Sequence, residues 1–394
     1  MLLCTEYGIH TLEMSMTKLK YSQVQRVNRR FAEQGKLTPL RESRDGIAKS
    51  YIFPEYVPGL SIRTYQSESH SNGLSLKINP KTVLSGKYCP IELFTPTEKS
   101  SRKLVRRTMD VLEEIGLEDL NDSEITEDRL SLSQLDLTIN LYFDSKTDLQ
   151  ELIRLFCKSR VPAHFKRIKG GGYFCCCNGS VTIKAYSKIQ ELQDKGHCPE
   201  AYKDLNILRF EVSLKRDKFI SAFDLRRDDP FCTMLSIAYD SGQELLMSYL
   251  SKLFPVTAPH CRYCDTVKAI ENCGKKSTVK ERMRFLVEKT MKMDGLDAAI
   301  AACKARFNLK DEQIKRLLEA FRELNVNPIT VPDKTKSDRI QPILLTYHNL
   351  KMANAFFPGT EELSLTFTKC IHQIVREQTH PREISMEELY FSEK

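Results

Sequence analysis

Apolar and polar residues alternate most strictly between residues 134 and 143. Leu135, Leu137, Ile139, Leu141 and Phe143 hold the odd positions, and Gln134, Asp136, Thr138, Asn140 and Tyr142 the even ones. A period of two predicts a strand with one buried apolar face and one polar face. Two later segments repeat the pattern. Over residues 180–188, Val181, Ile183 and Ala185 oppose Thr182, Lys184, Tyr186 and Lys188; over residues 207–215, Leu208, Phe210, Val212 and Leu214 oppose Arg209, Glu211, Ser213 and Lys215. If the three share a sheet, its polar face gathers Asp136, Tyr186, Lys188 and Glu211. Half-exposed sheets carry such faces without any catalytic use, so the pattern alone leaves both readings open.

Shorter strands are expected at residues 8–16, 60–65 and 73–79. A basic helix is expected at residues 21–34 with Val24, Val27 and Phe31 on one side. A second helix runs from a Ser100 cap to Ile115, and a third follows an Asp148 cap with Leu149, Leu152, Ile153 and Phe156 inward. Beyond about residue 243, helical periodicity takes over at residues 244–253, 279–292, 297–306 and 311–324, with further helical stretches at 343–356 and 363–377. Pro255 and Pro259 mark a junction. The expected class is α+β. An antiparallel-sheet domain over residues 1–245 precedes a mostly α-helical C-terminal domain over 246–335 and a helical tail of unassigned role over 336–394.

The chain has 394 residues, enough for two or three domains. No run approaches the roughly 18 apolar residues of a membrane span, and the first ten residues lack the basic and apolar regions of a secretory signal, so a cytoplasmic protein is expected. Thirteen cysteines, an odd number that includes the consecutive Cys175, Cys176 and Cys177, do not form a disulfide framework. Cys261 and Cys264, with His260 beside them and Cys273 following, carry the spacing of half a zinc site, but no second pair completes it.

Lys and Arg number 60 against 52 Asp and Glu, a net charge of +8 that permits a polyanionic partner without requiring one. The excess is concentrated. Lys158, Arg160, Lys166, Arg167 and Lys169 occupy twelve residues without an acid, followed by Gly170, Gly171 and Gly172. Residues 275–292 contain Lys275, Lys276, Lys280, Arg282, Arg284, Lys289 and Lys292 against two glutamates. Either cluster could hold a nucleic-acid backbone, and either could be an ordinary solvated surface.

Three blocks become informative together: Leu132-Ser133-Gln134-Leu135-Asp136-Leu137-Thr138, then Ile183-Lys184-Ala185-Tyr186-Ser187-Lys188-Ile189-Gln190-Glu191-Leu192, then Leu208-Arg209-Phe210-Glu211-Val212. With the upstream run from Lys77 to Gly86, their order and spacing resemble the filamentous-phage gene II/X replication initiators and related plasmid rolling-circle initiators. The helical stretch 275–330 is similar to that family's C-terminal region. The resemblance implies an endonuclease that nicks one strand of phage, plasmid or mobile-element DNA and rejoins it. It implies Tyr186 as nucleophile, Lys188 beside the scissile phosphate, and Asp136 and Glu211 as ligands of Mg²⁺ or Mn²⁺. His10 aligns with an acidic position of the phage proteins and is a further candidate ligand. Partners would be single-stranded or supercoiled origin DNA, with host helicase and polymerase, and no membrane. Lys158, Arg160, Lys166, Arg167, Lys169, Lys184, Arg209, Lys275, Lys276 and Arg282 are the candidate DNA contacts.

The residues themselves are compatible with this chemistry. A phenol with a pKa of about 10 is a poor nucleophile, and lysines on its face would favour the phenolate. Carboxylates on separate strands suit oxygen-seeking divalent cations. Such an ion would polarise the phosphate. The alternative is a non-catalytic DNA-binding regulator on the same scaffold.

Overall fold

The structure is a computed structural model, and it describes residues 2–35, 37–42, 48–67, 72–117, 130–168, 170–335 and 339–342. Lys169 and the expected helices at 343–356 and 363–377 lie outside the described residues.

The N-terminal part opens with β1 (Leu2–Leu19), α1 (Tyr21–Glu33), β2 (Thr38–Glu42), β3 (Ala48–Val57), β4 (Leu60–Ser67) and β5 (Asn72–Ile78). Then come α2 (Pro80–Ser85), α3 (Glu98–Glu114), β6 (Ser131–Phe143), α4 (Lys146–Lys158), β7 (Lys166–Arg167), β8 (Phe174–Cys177), β9 (Val181–Ser187), α5 (Lys188–Asp194) and β10 (Asn206–Lys215). The remainder is α6 (Arg216–Ala222), α7 (Phe231–Leu253), β11 (His260–Cys261), α8 (Tyr263–Asn272), α9 (Ser277–Lys292), α10 (Leu296–Phe307), α11 (Asp311–Glu323) and β12 (Arg339–Ile340). The protein is α+β, with a ten-stranded sheet in the order β2-β3-β4-β5-β1-β6-β10-β9-β8-β7 and every pairing antiparallel. The three alternating segments are therefore neighbours, β6-β10-β9, as the shared-face reading requires.

One face of this sheet carries the main core. Leu135, Leu137, Ile139, Phe210, Val212, Ile183 and Phe174 are buried there. From α4, Phe156 packs against Phe210 and Phe174, with ring centroids 5.7 and 6.0 Å away. Helix α7 lies close enough that a Cβ on Gly242 would collide with the Tyr7 hydroxyl and the Leu137 side chain. Glycine is what permits this approach of helix to sheet. The expected boundary at 245/246 falls within α7, which runs unbroken across it. Sheet and helical region share one hydrophobic cluster, through contacts such as Phe156 with Phe254.

Local differences from the sequence reading have simple causes. Ser145, not Asp148, caps α4 by accepting from the Thr147 N–H; Asp148 sits in the first turn, where a carboxylate favours the helix dipole instead. Thr97 caps α3, and Ser100 is the third residue of a capping box with it. The polar side of β6 is not open to water: Asp136, Thr138 and Asn140 are buried. A second, smaller core of Ile91, Tyr142, Ile189, Leu192, Tyr202 and Ile207 covers part of that face.

In the helical region, His260 is buried, its Nδ1 lies 2.7 Å from the Ile329 carbonyl, and its ring meets Phe254 edge-on. Burial pulls its pKa down to about 4. Between pH 6.5 and 4 the unfolded chain therefore binds a proton here that the folded one rejects. The stability from neutral His260 is complete above about pH 6.5 and is lost as pH falls toward 4, a change of roughly 3 kcal/mol. Denaturant titrations at pH 7 and 4.5 should show His260→Asn, which keeps an N–H for Ile329, losing much less stability than wild type over that interval. Equal losses would reject this assignment.

Candidate active site on the polar face of the sheet

Register builds the site. Across β6, β10 and β9 the polar face reads in rows: Asp136, Ser213, Thr182; then Thr138, Glu211, Lys184; then Asn140, Arg209, Tyr186. Directly paired residues in an antiparallel ladder project from the same face, so rows two residues apart share it. Tyr186 reaches diagonally across and donates from its hydroxyl to Glu211 Oε1 at 3.0 Å. On the other flank, β1 pairs Ile9 with Leu137 and Thr11 with Asp136, leaving His10 as the extra residue of a β-bulge. The bulge brings His10 Nδ1 to 3.2 Å from the same Glu211 oxygen and 3.0 Å from the Thr11 hydroxyl. Four of the candidate residues thus occupy one patch on four strands, with Glu211 at its centre.

The electrostatics are those of a buried, crowded cluster. Burial works against the Glu211 carboxylate, yet the His10 hydrogen bond and the charges of Arg209 and Lys184 hold it below the usual carboxylate range. Asp136 shifts the other way, to about 6, through burial and the Glu211 charge, against hydrogen bonds from Ser213 and Gln134. His10 is lowered to about 4 by burial and by Arg209, so it is a neutral imidazole at neutral pH. Tyr186 is pushed well above its ordinary value by burial and then by Glu211. The lysines do not deliver the phenolate expected from sequence. Lys188, buried at the start of α5, is lowered to about 8 by burial and Arg209, and its Nζ lies 2.7 Å from Glu191 Oε2.

Arg209 requires a correction. Far from contacting DNA, its side chain is wholly buried. Its guanidinium donates to Asn140 Oδ1 at 2.8 Å, to the Pro90 carbonyl at 3.2 Å and to the Ile91 carbonyl at 2.6 Å. Asn140 in turn donates to Ile91 and to Glu6, which also accepts from the Tyr142 hydroxyl and the Leu93 N–H. This network clamps the segment around residues 90–94 over the polar face. Glu6 and the 90–94 segment carry no periodic signal in the sequence; the nearest signal is Arg209, an arginine on the polar face opposite Asn140.

The basic clusters divide in the same manner. Lys158 Nζ donates to the Met291 and Met293 carbonyls at 3.1 and 2.5 Å, Arg160 pairs with Asp297 at 3.2 Å, and Arg167 donates to the Cys157 and Ser159 carbonyls. Lys158 and Arg160 brace the end of α4 against the helical region, and Arg167 ties β7 to the same end, so all three are engaged by protein partners. Lys166 is exposed and Lys184 half-buried. In the second cluster Lys275 pairs with Glu323, and Arg282 lies over the Phe307 ring at 6.0 Å, while Lys276 is exposed at the start of α9. Cys261, Cys264 and Cys273 do not come together with a further ligand: among the described residues, no three His, Cys, Asp or Glu side chains close on a metal position.

Asp136, Glu211 and His10 fall under the same observation. Their chemistry nonetheless fits a divalent cation. Burial, and then the Glu211 charge, oppose ionisation of Asp136, and a cation between the two carboxylates would offset both. Mg²⁺ is commonly held by one or two carboxylates, with water and substrate phosphate completing its shell. His10 offers a neutral ring whose Nδ1 is held against Glu211, so it orients that carboxylate while its Nε2 faces away from it.

Fold and site together define an α+β protein with a tyrosine–carboxylate–imidazole cluster on the inner strands of an antiparallel sheet. Residues 13–230 match the Phage_CRI family model, which describes the N-terminal region of a phage replication-associated protein. The match covers more than half of the chain, which belongs to this family of replication-associated proteins. The matched span contains Asp136, Tyr186, Lys188 and Glu211; His10 lies just before it and the helical stretch 275–330 beyond it. No curated protein matches the chain.

Proposed function

We propose that the protein is a rolling-circle replication initiator that nicks and rejoins one DNA strand through Tyr186. The observation that carries this reading is the contact of Tyr186 with Glu211 within the family-matched sheet, flanked by Asp136 and His10. The Tyr186 phenolic oxygen attacks the scissile phosphorus, the bond to the 3′ oxygen breaks, and that oxygen leaves as a 3′-hydroxyl after protonation. The product is a 5′-phosphotyrosine with an end that a host polymerase extends; rejoining reverses the step. Glu211 Oε1 is within reach of the phenolic proton. Asp136 and Glu211, with His10, are the residues that would hold Mg²⁺ or Mn²⁺. When bound, that ion supplies Lewis-acid polarisation of the phosphate and offsets the Glu211 charge that now opposes a phenolate. The DNA would be single-stranded or supercoiled origin DNA in the cytoplasm, with host helicase acting on the nicked product. The test is incubation of the full chain with Mg²⁺ and a supercoiled plasmid carrying the DNA that flanks its own gene. The expected result is a nicked circle with protein attached covalently at Tyr186, located by peptide mapping.

A second reading, a DNA-binding regulator without nicking activity, is favoured by one observation: the Tyr186 hydroxyl donates to Glu211 from a position where burial raises its pKa. DNA binding with steep salt dependence and no nicking under Mg²⁺ or Mn²⁺ would establish it.

The nicking reading carries a pH signature. Asp136 must ionise to bind a cation, and its pKa is raised to about 6. At fixed subsaturating Mg²⁺, adduct formation should fall about tenfold per pH unit below about pH 6. Saturating Mg²⁺ should move that limb to lower pH. A limb that ignores Mg²⁺ concentration would remove Asp136 as a ligand.

A further inference from the structure

The polar face does not end at Tyr186. Beyond β9 lie β8 and β7, the last two strands of the sheet. The register places Cys175 opposite Lys184, Cys177 opposite Thr182 and Lys166 opposite Cys177, so Lys166 and the two cysteines share the face of Tyr186. Ile168, whose N–H donates to the Cys175 carbonyl at 2.9 Å, continues that face. Extending the Phe174–Ala185 pairing by one residue sets Tyr173 opposite Tyr186. Ile168 and Tyr173 are two of the six most exposed large hydrophobic residues described, at 44% and 36%. An aliphatic and an aromatic side chain therefore stand in solvent beside the candidate nucleophile, on the outermost hairpin.

Gly170 and Gly172 shape the backbone next to Tyr173. A Cβ on Gly170 would fall 2.6 Å from the Tyr173 ring, so the ring lies close over the backbone at Gly170. Gly172 adopts φ of +77°, which closes the turn. Of the Lys and Arg in residues 152–190, Arg154, Lys158, Arg160, Arg167 and Lys188 are engaged by Glu151, backbone carbonyls, Asp297 and Glu191. Lys166 and Lys184 carry charge on the site face.

We infer that the β7–β8 hairpin is a stacking platform for single-stranded DNA, on which Tyr173 and Ile168 receive unpaired bases while Lys166 and Lys184 hold the adjacent phosphates. Two strand spacings separate β9 from β7, about 10 Å, room for two or three nucleotides next to Tyr186. A paired duplex offers no base faces to such a surface, whereas a single strand offers them whatever its sequence. This inference rests on the DNA-nicking reading for its location, but not for its test.

The test is fluorescence anisotropy of the full chain in EDTA, with a labelled oligothymidylate of about 20 nucleotides, an abasic strand of the same length, and a duplex. Wild type should bind the oligothymidylate most tightly. Tyr173→Ala should weaken that binding by roughly five- to a hundredfold while leaving the abasic strand unaffected, and Tyr173→Phe should restore it. Lys166→Ala should weaken both strands equally and reduce the salt slope by about 0.7. Tyr173→Ala binding like wild type, an equal loss on the abasic strand, or a preference for duplex would overturn the inference. Because EDTA prevents metal-dependent cleavage, a chain that forms no adduct can still pass this test, and a chain that nicks can fail it.

Discussion

Tyr186→Phe is expected to abolish the covalent protein–DNA adduct, by about four orders of magnitude or more, without changing the fold or the affinity for DNA. The substitution removes one oxygen and keeps the ring. Its structural cost is the single hydrogen bond to the Glu211 carboxylate, about 1.5–3 kcal/mol, and Glu211 retains His10 as a partner. A denaturing gel of labelled DNA reads the adduct directly, and anisotropy in EDTA reads binding. The comparison with Tyr173→Phe is informative, because both tyrosines project from the same face and only one touches Glu211. If Tyr186→Phe forms adduct undiminished while Tyr173→Phe loses it, the nucleophile is Tyr173 and the buried phenol is structural. If both variants form adduct, neither serves.

The burial of Tyr186 gives this experiment a second use. Burial and the Glu211 charge disfavour its phenolate. On the nicking reading, DNA or cation must change that environment before the oxygen becomes nucleophilic. Nicking should therefore depend on Mg²⁺ far more steeply than binding does. A protein that needs its substrate to complete the site is protected from attacking unintended phosphates.

The sequence carried the centre of the sheet well, because β6, β9 and β10 are covered on their apolar face by a single layer and keep a period of two. That periodicity alone placed Asp136, Tyr186 and Glu211 on one face. Strands β2 and β3 escaped notice, since Thr38, Pro39, Arg41 and Glu42 show no alternation and Pro54 interrupts the β3 run. The β-bulge at His10 was invisible for a different reason. It arises from the pairing of β1 with β6, a property of two segments more than a hundred residues apart. Charges misled most. Lys158, Arg160 and Arg167 look like a phosphate grip in one dimension, but carbonyls and Asp297 from other elements use them as braces. Lys188, expected beside a phosphate, pairs with Glu191 one helical turn on, a partner the i, i+3 spacing already contains. Composition could indicate an anionic partner; only the tertiary structure decides which cations remain to meet it.

Arg209 makes that distinction measurable. Arg209→Ala should destabilise the protein by about 3–5 kcal/mol, because it strands the Pro90 carbonyl and Asn140 Oδ1 in a buried site and leaves the Ile91 carbonyl with Asn140 as its donor. Arg209→Lys should recover only part of the loss, since one ammonium cannot span three acceptors in the plane that a guanidinium does. Hydrogen exchange should locate the damage. The Leu93 amide, held by Glu6, and the Phe94 amide, held by Ile9, should lose protection ahead of the helical region. In conditions where the variant remains folded, its binding to single-stranded DNA should keep the wild-type salt slope, because Arg209 releases no counterion. Adduct formation should fall much more than binding. The guanidinium pairs across from Tyr186, and its charge favours both the Glu211 carboxylate and the Tyr186 phenolate. A stable Arg209→Ala protein with a reduced salt slope would instead mean that the arginine leaves its buried network and meets the phosphate directly.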